Sequence, residues 1–399
     1  MSGSSSLRQL LEVGPARRDH VPAVRIALAV GIPLVLLMSL GRADLTIYAA
    51  FGAFTSIYAR HEPLRQRLGH ELQAGALVTV SVGIGALLSW YGAPEPLVLG
   101  ITSVVATIGA VLAAAWNLKP AGSVFFIFAT GAIGSLGADA VAHPLLAIAI
   151  AGGSAAFSVL LALVWSLVGE GREGKSPPPA PVVHLTRGQL AAHGGRFLVA
   201  TGLAAVVALI VSQAAGLSHV YWAQVAAAAP IAAPTHLARL QRGVHRMVGT
   251  LGGVGVTAFV LAFDLGPWQM LFLVILFQLL AELFVGRNYS LALLFITPLA
   301  LLMTQLAHPV PAAPLLQARA VETVLGALCG MLVIYLWRNS EERRADTQAM
   351  PRIIAASQVD RRGGPGAADP DGAYLDGADL EAEGPDDDGH SGPSADRSR

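Results

Sequence analysis

The chain has 399 residues, of which 54% are hydrophobic and only 13% are charged. A water-facing surface cannot be built from so few charged residues, so the composition argues against a soluble enzyme and indicates a membrane protein. The net charge of zero conceals an uneven distribution of charged residues along the chain. Residues 1–337 carry 18 Lys and Arg against 12 Asp and Glu, whereas residues 338–399 carry 8 against 14. We therefore expect a basic membrane body followed by an acidic tail.

Apolar stretches long enough to cross a bilayer recur along the whole body of the chain. The stretch that follows the first arginines contains Pro33 and is succeeded at once by others, so it is predicted to be a span and not a cleaved signal peptide. The second and eighth stretches are short and contain Gly52 or Pro230, and we expect them to be tilted, broken or half-buried. The twelve predicted spans lie near 23–41, 44–59, 72–90, 96–115, 120–137, 144–168, 196–216, 219–234, 246–264, 267–285, 289–307 and 317–337.

The two halves of the body resemble each other. An arginine opens the first helix of each half (Arg25 and Arg196), and an aromatic residue follows in the next (Tyr48 and Tyr221). Each half has six spans, an even number, so the repeat is parallel and not inverted. The predicted fold is an all-α polytopic transmembrane helical bundle of about twelve spans in two six-helix repeats. Its predicted parts are an N-terminal segment 1–22, repeats at 23–168 and 196–337, a linker 169–195 and a disordered acidic tail 338–399.

The basic residues of the body predict its orientation. With the N-terminus in the cytoplasm, Arg42 and Arg319 fall on the outer side, and the other basic residues fall on the cytoplasmic side, as the positive-inside rule requires. Both termini are therefore predicted to be cytoplasmic. The residues on that side are Arg60, Arg65, Arg67, Lys119, Arg172, Lys175, Arg187, Arg239, Arg242, Arg246 and Arg287.

The second half carries a series of aromatic, basic, glycine and hydroxyl-bearing residues spread over its helices. They are Tyr221-Trp222-Ala223, then Arg242, Arg246, Gly249-Thr250 and Gly253, then Asn288-Tyr289 and Thr297-Pro298, and finally Arg319, Glu322-Thr323, Gly326 and Gly330. In these residues the second half resembles the fusaric acid resistance family of bacterial inner-membrane proteins, which includes aromatic acid exporters. The resemblance implies a multi-pass protein of the bacterial plasma membrane that exports aromatic carboxylates with the proton-motive force.

Two carboxylates inside predicted spans are candidates for proton coupling, because ionisable groups in lipid tend to face a partner or a water-filled path. Glu282 lies near the cytoplasmic end of the tenth span, where an ion pair with Arg287 or a loop arginine is the alternative. Glu322 lies one turn after Arg319 on one helical face, and these two residues pairing with each other is the simpler interpretation.

Three arginines are candidates for binding a substrate anion, since a guanidinium can hold a carboxylate through two hydrogen bonds. Arg319 lies inside the last span. Arg25 and Arg196 stand at equivalent entrances of the two halves, where snorkelling topology anchors explain them equally well.

Five other residues are candidates for contacting the same substrate. Tyr221, Trp222 and Tyr289 can stack on an aromatic ring, although aromatic-belt anchoring is the common role of such residues. Asn288 and Thr297 place an amide and a hydroxyl at membrane depth, where they can line a site or join helices by hydrogen bonds.

The sequence offers no support for ATP-driven transport, since it contains no phosphate-binding glycine loop and no dinucleotide fingerprint. A single cysteine, Cys329, excludes an internal disulfide, and we expect no cofactor, no metal and no nucleic acid partner. The favoured function is a proton-coupled exporter of small organic anions, with a site between the halves and Gly-rich faces compatible with a homo-oligomer. The alternative is a non-transporting scaffold that recruits a cytoplasmic partner through its tail and basic loops.

Overall fold

The computed structural model describes residues 19–167 and 185–337, in which all regular structure is helical. The predicted all-α polytopic bundle is thereby confirmed, whereas most of the N-terminal segment, most of the linker and the acidic tail lie outside the described residues. In chain order the helices are α1 His20–Ser39, α2 Thr46–Ala53, α3 Leu64–Trp90, α4 Glu95–Ala115, α5 Val124–Gly134, α6 Pro144–Leu167, α7 Arg187–Ala215, α8 Tyr221–Ile231, α9 His236–Leu261, α10 Pro267–Phe284, α11 Tyr289–Ala307 and α12 Ala312–Leu336.

Nine of the twelve helices in the described ranges are long and apolar enough to cross a membrane. The exceptions are α2, α5 and α8, with 8, 11 and 11 residues. Short 3-10 turns at Ala43–Leu45 and Phe54–Ile57 flank α2. The second and eighth spans were predicted to be short, but the full span predicted at 120–137 was wrong. Every residue of α2 and α8 is buried, and ends enclosed by protein need not reach the lipid headgroups.

The helix α7 begins earlier than the predicted span at 196, because a capping box starts it at Arg187. The side chain of Thr186 accepts a hydrogen bond from the Gln189 backbone N–H at 3.3 Å. In return, the Gln189 side chain accepts one from the Thr186 backbone N–H at 2.8 Å. Two of the N–H groups that a helix start leaves without partners are thus satisfied.

The two halves use the same packing scheme. In each half the third helix packs on the fifth and sixth, and the second packs on the sixth. Across the halves, the first helix of each packs on the fourth of the other, so that α1 meets α10 and α7 meets α4. Glycines allow the closest approaches. A Cβ at Gly52 would collide with the Ala151 carbonyl oxygen on α6, and one at Gly326 with the Ala223 carbonyl oxygen on α8.

Candidate functional site

A cavity of about 1040 Å³ lies between the two halves. Helices α2, α3 and α5 supply its wall from the first half, and α8 to α12 supply it from the second. Both Tyr289 and Thr304, at opposite ends of α11, line it, so it extends roughly 22 Å along that helix. The exposed residues Arg65 and Lys119 line the end that we call the mouth.

Two arginines and a tyrosine of the second half form a cluster inside the cavity, which we call the basic cluster. Arg242 and Arg246 are one turn apart on α9, and both reach Tyr289 at the start of α11. The guanidinium carbon of Arg242 lies 4.5 Å from the Tyr289 ring centroid. The Nη1 of Arg246 donates to the Tyr289 hydroxyl at 3.3 Å. Because a hydroxyl that accepts one hydrogen bond can still donate its own, Tyr289 can offer an O–H to an anion.

Arg319 adds a fourth polar side chain to this region, from α12. It is 1% exposed, it lines the cavity, and its Nε and Nη1 have no hydrogen-bond partner. Its guanidinium carbon lies 5.0 Å from the Trp222 ring centroid, and Arg246 is close enough to repel it electrostatically. In the described chain no carboxylate forms an ion pair with it: Glu322, one turn further along α12, attracts it electrostatically, but neither oxygen of Glu322 has a hydrogen-bond partner. A buried cation of this kind is costly until an anion joins it.

Aromatic rings of the first half form one wall of the cavity. The ring of Phe51 lies edge-on to Phe128 at 5.3 Å between centroids, and Phe54 lies 5.4 Å from Phe125. Phe128 also stacks on Tyr221 of the second half at 6.1 Å. All five line the cavity. An aromatic surface and the basic cluster therefore line the same cavity, an arrangement that suits a ligand with one apolar face and one negative end.

The two acidic residues that line the cavity are each held by a basic partner. Glu282 Oε2 accepts from Arg60 Nη1 at 3.0 Å, and its Oε1 accepts from the Gln278 amide at 3.1 Å. Glu62 lies 2.6 Å from the ring nitrogen Nδ1 of His70. The net character of the cavity is therefore basic. In the residues that the structure describes, no group of three or more His, Cys, Asp or Glu side chains is placed to hold a metal ion.

The cations deep in the cavity all come from one stretch of the second half, and that stretch has known relatives. Residues 205–333 match the model of the fusaric acid resistance protein-like family. The chain is also 30% identical over 155 residues to the uncharacterized membrane protein YvaC of Bacillus subtilis strain 168. That match covers 38% of this chain and 24% of YvaC, so the chain spans about a quarter of that relative's length. No solved structure matches significantly.

Of the predicted site residues, the structure brings four to the cavity. These are Tyr221, Tyr289 and Arg319 of the fusaric acid resistance-like segment, together with Glu282 of the same segment. Glu282 does not pair with Arg287. It pairs instead with the loop residue Arg60, whereas Arg287 donates from Nε to Asp19 at 3.2 Å.

Six predicted residues lie outside the cavity lining. Arg25 forms an ion pair with Glu71 at 3.1 Å, with both side chains fully buried. Arg196 is buried on α7, away from the cavity. Trp222 lies behind Arg319, and Glu322 is fully buried one turn beyond it.

The last two of these six are Asn288, which caps a helix, and Thr297, which faces helix α9. The Asn288 side chain accepts a hydrogen bond from the Leu291 backbone N–H at 2.9 Å and so starts α11. Thr297 is fully buried, and it lies where a Cβ at Gly253 would meet it. The cap explains Asn288 without a ligand, whereas the packing against Gly253 explains the size of Thr297 but leaves its buried hydroxyl without a hydrogen-bond partner.

Sequence reasoning missed most of the residues that give the cavity its character. Arg242 and Arg246 had a usable signal, since residues four apart on a helix share a face. Arg60 had none, because it follows a short 3-10 turn and its partner Glu282 is remote in sequence. The phenylalanines could not be recognised from the sequence as one group, because Phe51 and Phe54 come from one helical segment and Phe125 and Phe128 from another.

Proposed function

We propose that this protein is a secondary transporter that exports small organic anions, with aromatic carboxylates as its substrate class and the proton gradient as its energy source. The observation that carries the proposal is Arg319, a buried guanidinium at a large cavity that has no carboxylate partner in the described chain. The family match and the membrane-spanning helices support a transport role.

The geometry supports a specific mode of binding. A carboxylate that enters between Arg246 and Arg319 can accept hydrogen bonds from both guanidinium groups and from the Tyr289 hydroxyl. Its aromatic ring can then lie against Phe51 and Phe128. Charge-assisted hydrogen bonds to a carboxylate are roughly twice as strong as neutral ones, and the cavity wall removes competing water.

Proton coupling is assigned to Glu322 ahead of Glu282. The carboxylate of Glu322 is fully buried and both its oxygens lack partners, so its charged form is costly and a proton relieves that cost. Glu282, by contrast, forms an ion pair with Arg60 of the other half. We assign to that pair a different role, as a contact that must break whenever the halves separate at the mouth.

The orientation and location are part of the same proposal. The mouth carries Arg65 and Lys119, and the positive-inside rule places such residues on the cytoplasmic side. An anion would then enter from the cytoplasm of a bacterial cell and leave through the plasma membrane after the halves rearrange around it.

The test is uptake of a labelled aromatic acid panel into everted membrane vesicles, with and without a protonophore. We expect accumulation by the wild type, collapse with the protonophore, and loss in Glu322→Gln at equal protein level. The Glu282→Gln variant should keep coupling while changing the rate. If no acid accumulates in any vesicle preparation that contains the protein, the transport proposal is wrong. If accumulation ignores the protonophore, only the coupling is wrong.

A further inference from the structure

We infer that the cavity takes an elongated aromatic dianion, with one acidic group held by Arg246 and Arg319 in the interior and a second held by Arg65 and Lys119 at the mouth. This inference rests on the proposed function and narrows its substrate class from aromatic acids in general to those with an acidic group at each end.

Two groups of cations lie at different depths along one continuous cavity. Helix α9 begins on the side of the mouth, since Ala232 packs against Gly122, which lines the cavity close to Lys119. Helix α12 ends on the same side, since Phe197 of α7 also packs against Gly122 and Trp337 packs against Gly195, two residues before Phe197. The helical rise places the Arg246 backbone roughly 15 Å and the Arg319 backbone roughly 25 Å from that side. Arg65 and Lys119 lie at the mouth itself.

Positive charge without an ion-pair partner lies at two places along the cavity. Along this path the acidic side chains that line the cavity are already occupied, Glu62 by His70 and Glu282 by Arg60. Arg65 and Lys119 have no ion pair in the described ranges, and neither does Arg319. Two separate groups of positive charge therefore remain, one in the interior and one at the mouth. A monoanion can contact only one of them, whereas a dianion can contact both, with the larger gain at the buried Arg319 and a smaller one at the exposed Arg65 and Lys119.

The volume of the cavity and the surface between the two groups of cations favour a long ligand. A cavity of about 1040 Å³ is at the upper end of the range for drug-sized ligands, and a single ring with one carboxyl group leaves most of it empty. The stretch between the two groups of cations is lined by Phe54, Phe125 and Tyr58, whose rings contact one another at 5.4 to 5.9 Å. An extended aromatic body fits this surface.

The test compares two probes that share one aromatic body, biphenyl monocarboxylate and the biphenyl dicarboxylate with a carboxyl group at each end. Their affinities for the purified protein are measured by titration calorimetry at fixed ionic strength. We expect the dicarboxylate to bind about tenfold more tightly, as one further charge-assisted contact provides, with one molecule per protein. The double variant Arg65→Gln with Lys119→Gln should lose this preference and keep its affinity for the monocarboxylate.

Two controls make the result specific. Arg187→Gln removes an exposed positive charge that does not line the cavity, and it should keep the preference. The charge-retaining double variant Arg65→Lys with Lys119→Arg should also keep it, which excludes a general effect of altering these positions.

The inference is overturned if both probes bind equally, if the preference survives in the Gln double variant, or if two monocarboxylates fill each protein. Each of these outcomes leaves the proposed function standing, provided that monocarboxylate binding depends on Arg319. If neither probe binds the wild type, the proposed binding site itself is wrong.

Discussion

The first half of the chain neutralises a buried arginine within the protein, whereas the second half presents one to the cavity. Arg25 on α1 and Glu71 on α3 form an ion pair at 3.1 Å, and neither is exposed. Arg319 on α12 is equally buried, but its Nε and Nη1 have no hydrogen-bond partner and Glu322 does not pair with it. The helices that carry these residues belong to the same packing scheme.

This difference shows that two halves with the same helix packing can have different roles. Helix packing is the same in both halves, because glycine contacts and helix order set it. The way in which buried charged side chains are paired differs between the halves. The first half supplies the aromatic wall of the cavity and satisfies its deep charge internally, and the second half supplies guanidinium groups that remain available. The first half therefore supplies the aromatic wall and the exposed cations of the mouth, and the second half supplies the anion-binding guanidinium groups of the interior.

The largest effect we predict is on stability, and it comes from the first half. Arg25→Met leaves the Glu71 carboxylate buried without this partner, so the free energy of unfolding should fall by about 3–5 kcal/mol. Replacing both, as Arg25→Met with Glu71→Leu, should recover most of that loss. Thermal unfolding in detergent measures both variants. A single variant as stable as wild type would show that the ion pair does not hold α1 to α3.

The second prediction is the opposite behaviour of Arg319. Arg319→Met removes a buried charge that has no anionic partner, so the protein should be as stable as wild type or more stable. Its affinity for an aromatic carboxylate should fall by about 1.5–3 kcal/mol, the value of hydrogen bonds to a charged group. Calorimetry and thermal unfolding of the same preparation separate the two effects. Unchanged affinity would remove Arg319 from the binding site.

The third prediction uses two glycines at the contact between the second and the sixth helix of each half, Gly52 on α2 and Gly326 on α12. Gly52→Ala and Gly326→Ala each place a methyl group against a backbone carbonyl, and each should cost about 1–3 kcal/mol of stability. Gly326→Ala should weaken anion binding more than Gly52→Ala, because α8 and α12 carry Tyr221 and Arg319, whereas α2 carries only Phe51 of the aromatic wall and no cation.

Matched controls for the glycines are available in both halves. A Cβ at Gly153 or at Gly255 would meet nothing within 4 Å, so alanine there should be neutral or stabilise the helix by up to about 1 kcal/mol. Thermal unfolding is again the measurement. Equal loss of binding in Gly52→Ala and Gly326→Ala would mean that the halves do not divide their tasks as we describe.

The smallest predicted effect concerns the two tyrosines at equivalent positions of the repeat. The Tyr48 hydroxyl accepts a hydrogen bond from the Ala142 backbone N–H at 2.9 Å, whereas Tyr221 lines the cavity. Tyr48→Phe should therefore cost about 1 kcal/mol of stability and leave binding unchanged. Tyr221→Phe should leave stability unchanged. The opposite pattern would show that the repeat equivalence has been misassigned.

The helical bundle could be predicted because apolar length is a direct consequence of bilayer thickness. The length of α5 could not. Hydropathy reports how apolar residues 120–137 are, but not that the helix stops at Gly134 inside the protein, where neighbouring helices and not lipid surround it. The early start of α7 depended on a capping box at Thr186 that the assignment of spans by hydropathy ignored.

The candidate site could be predicted only where chemistry is unusual for a membrane span. Arg319 and Glu282 stood out because charge inside a span is rare, and both line the cavity. Trp222 and Thr297 carry the family pattern but face other helices, and no periodicity tells which face meets a cavity. The partner of Arg25 was also out of reach, since Glu71 lies on another helix.

The most direct measurement of the central claim is an anomalous difference map from crystals of the wild-type protein grown with a bromine-labelled aromatic carboxylate. We predict a bromine peak against the phenylalanine wall of the cavity, with the carboxylate within hydrogen-bonding distance of Arg246 or Arg319. A peak elsewhere on the protein, or a monocarboxylate held at the mouth with no contact to Arg246 or Arg319, would contradict the proposed site.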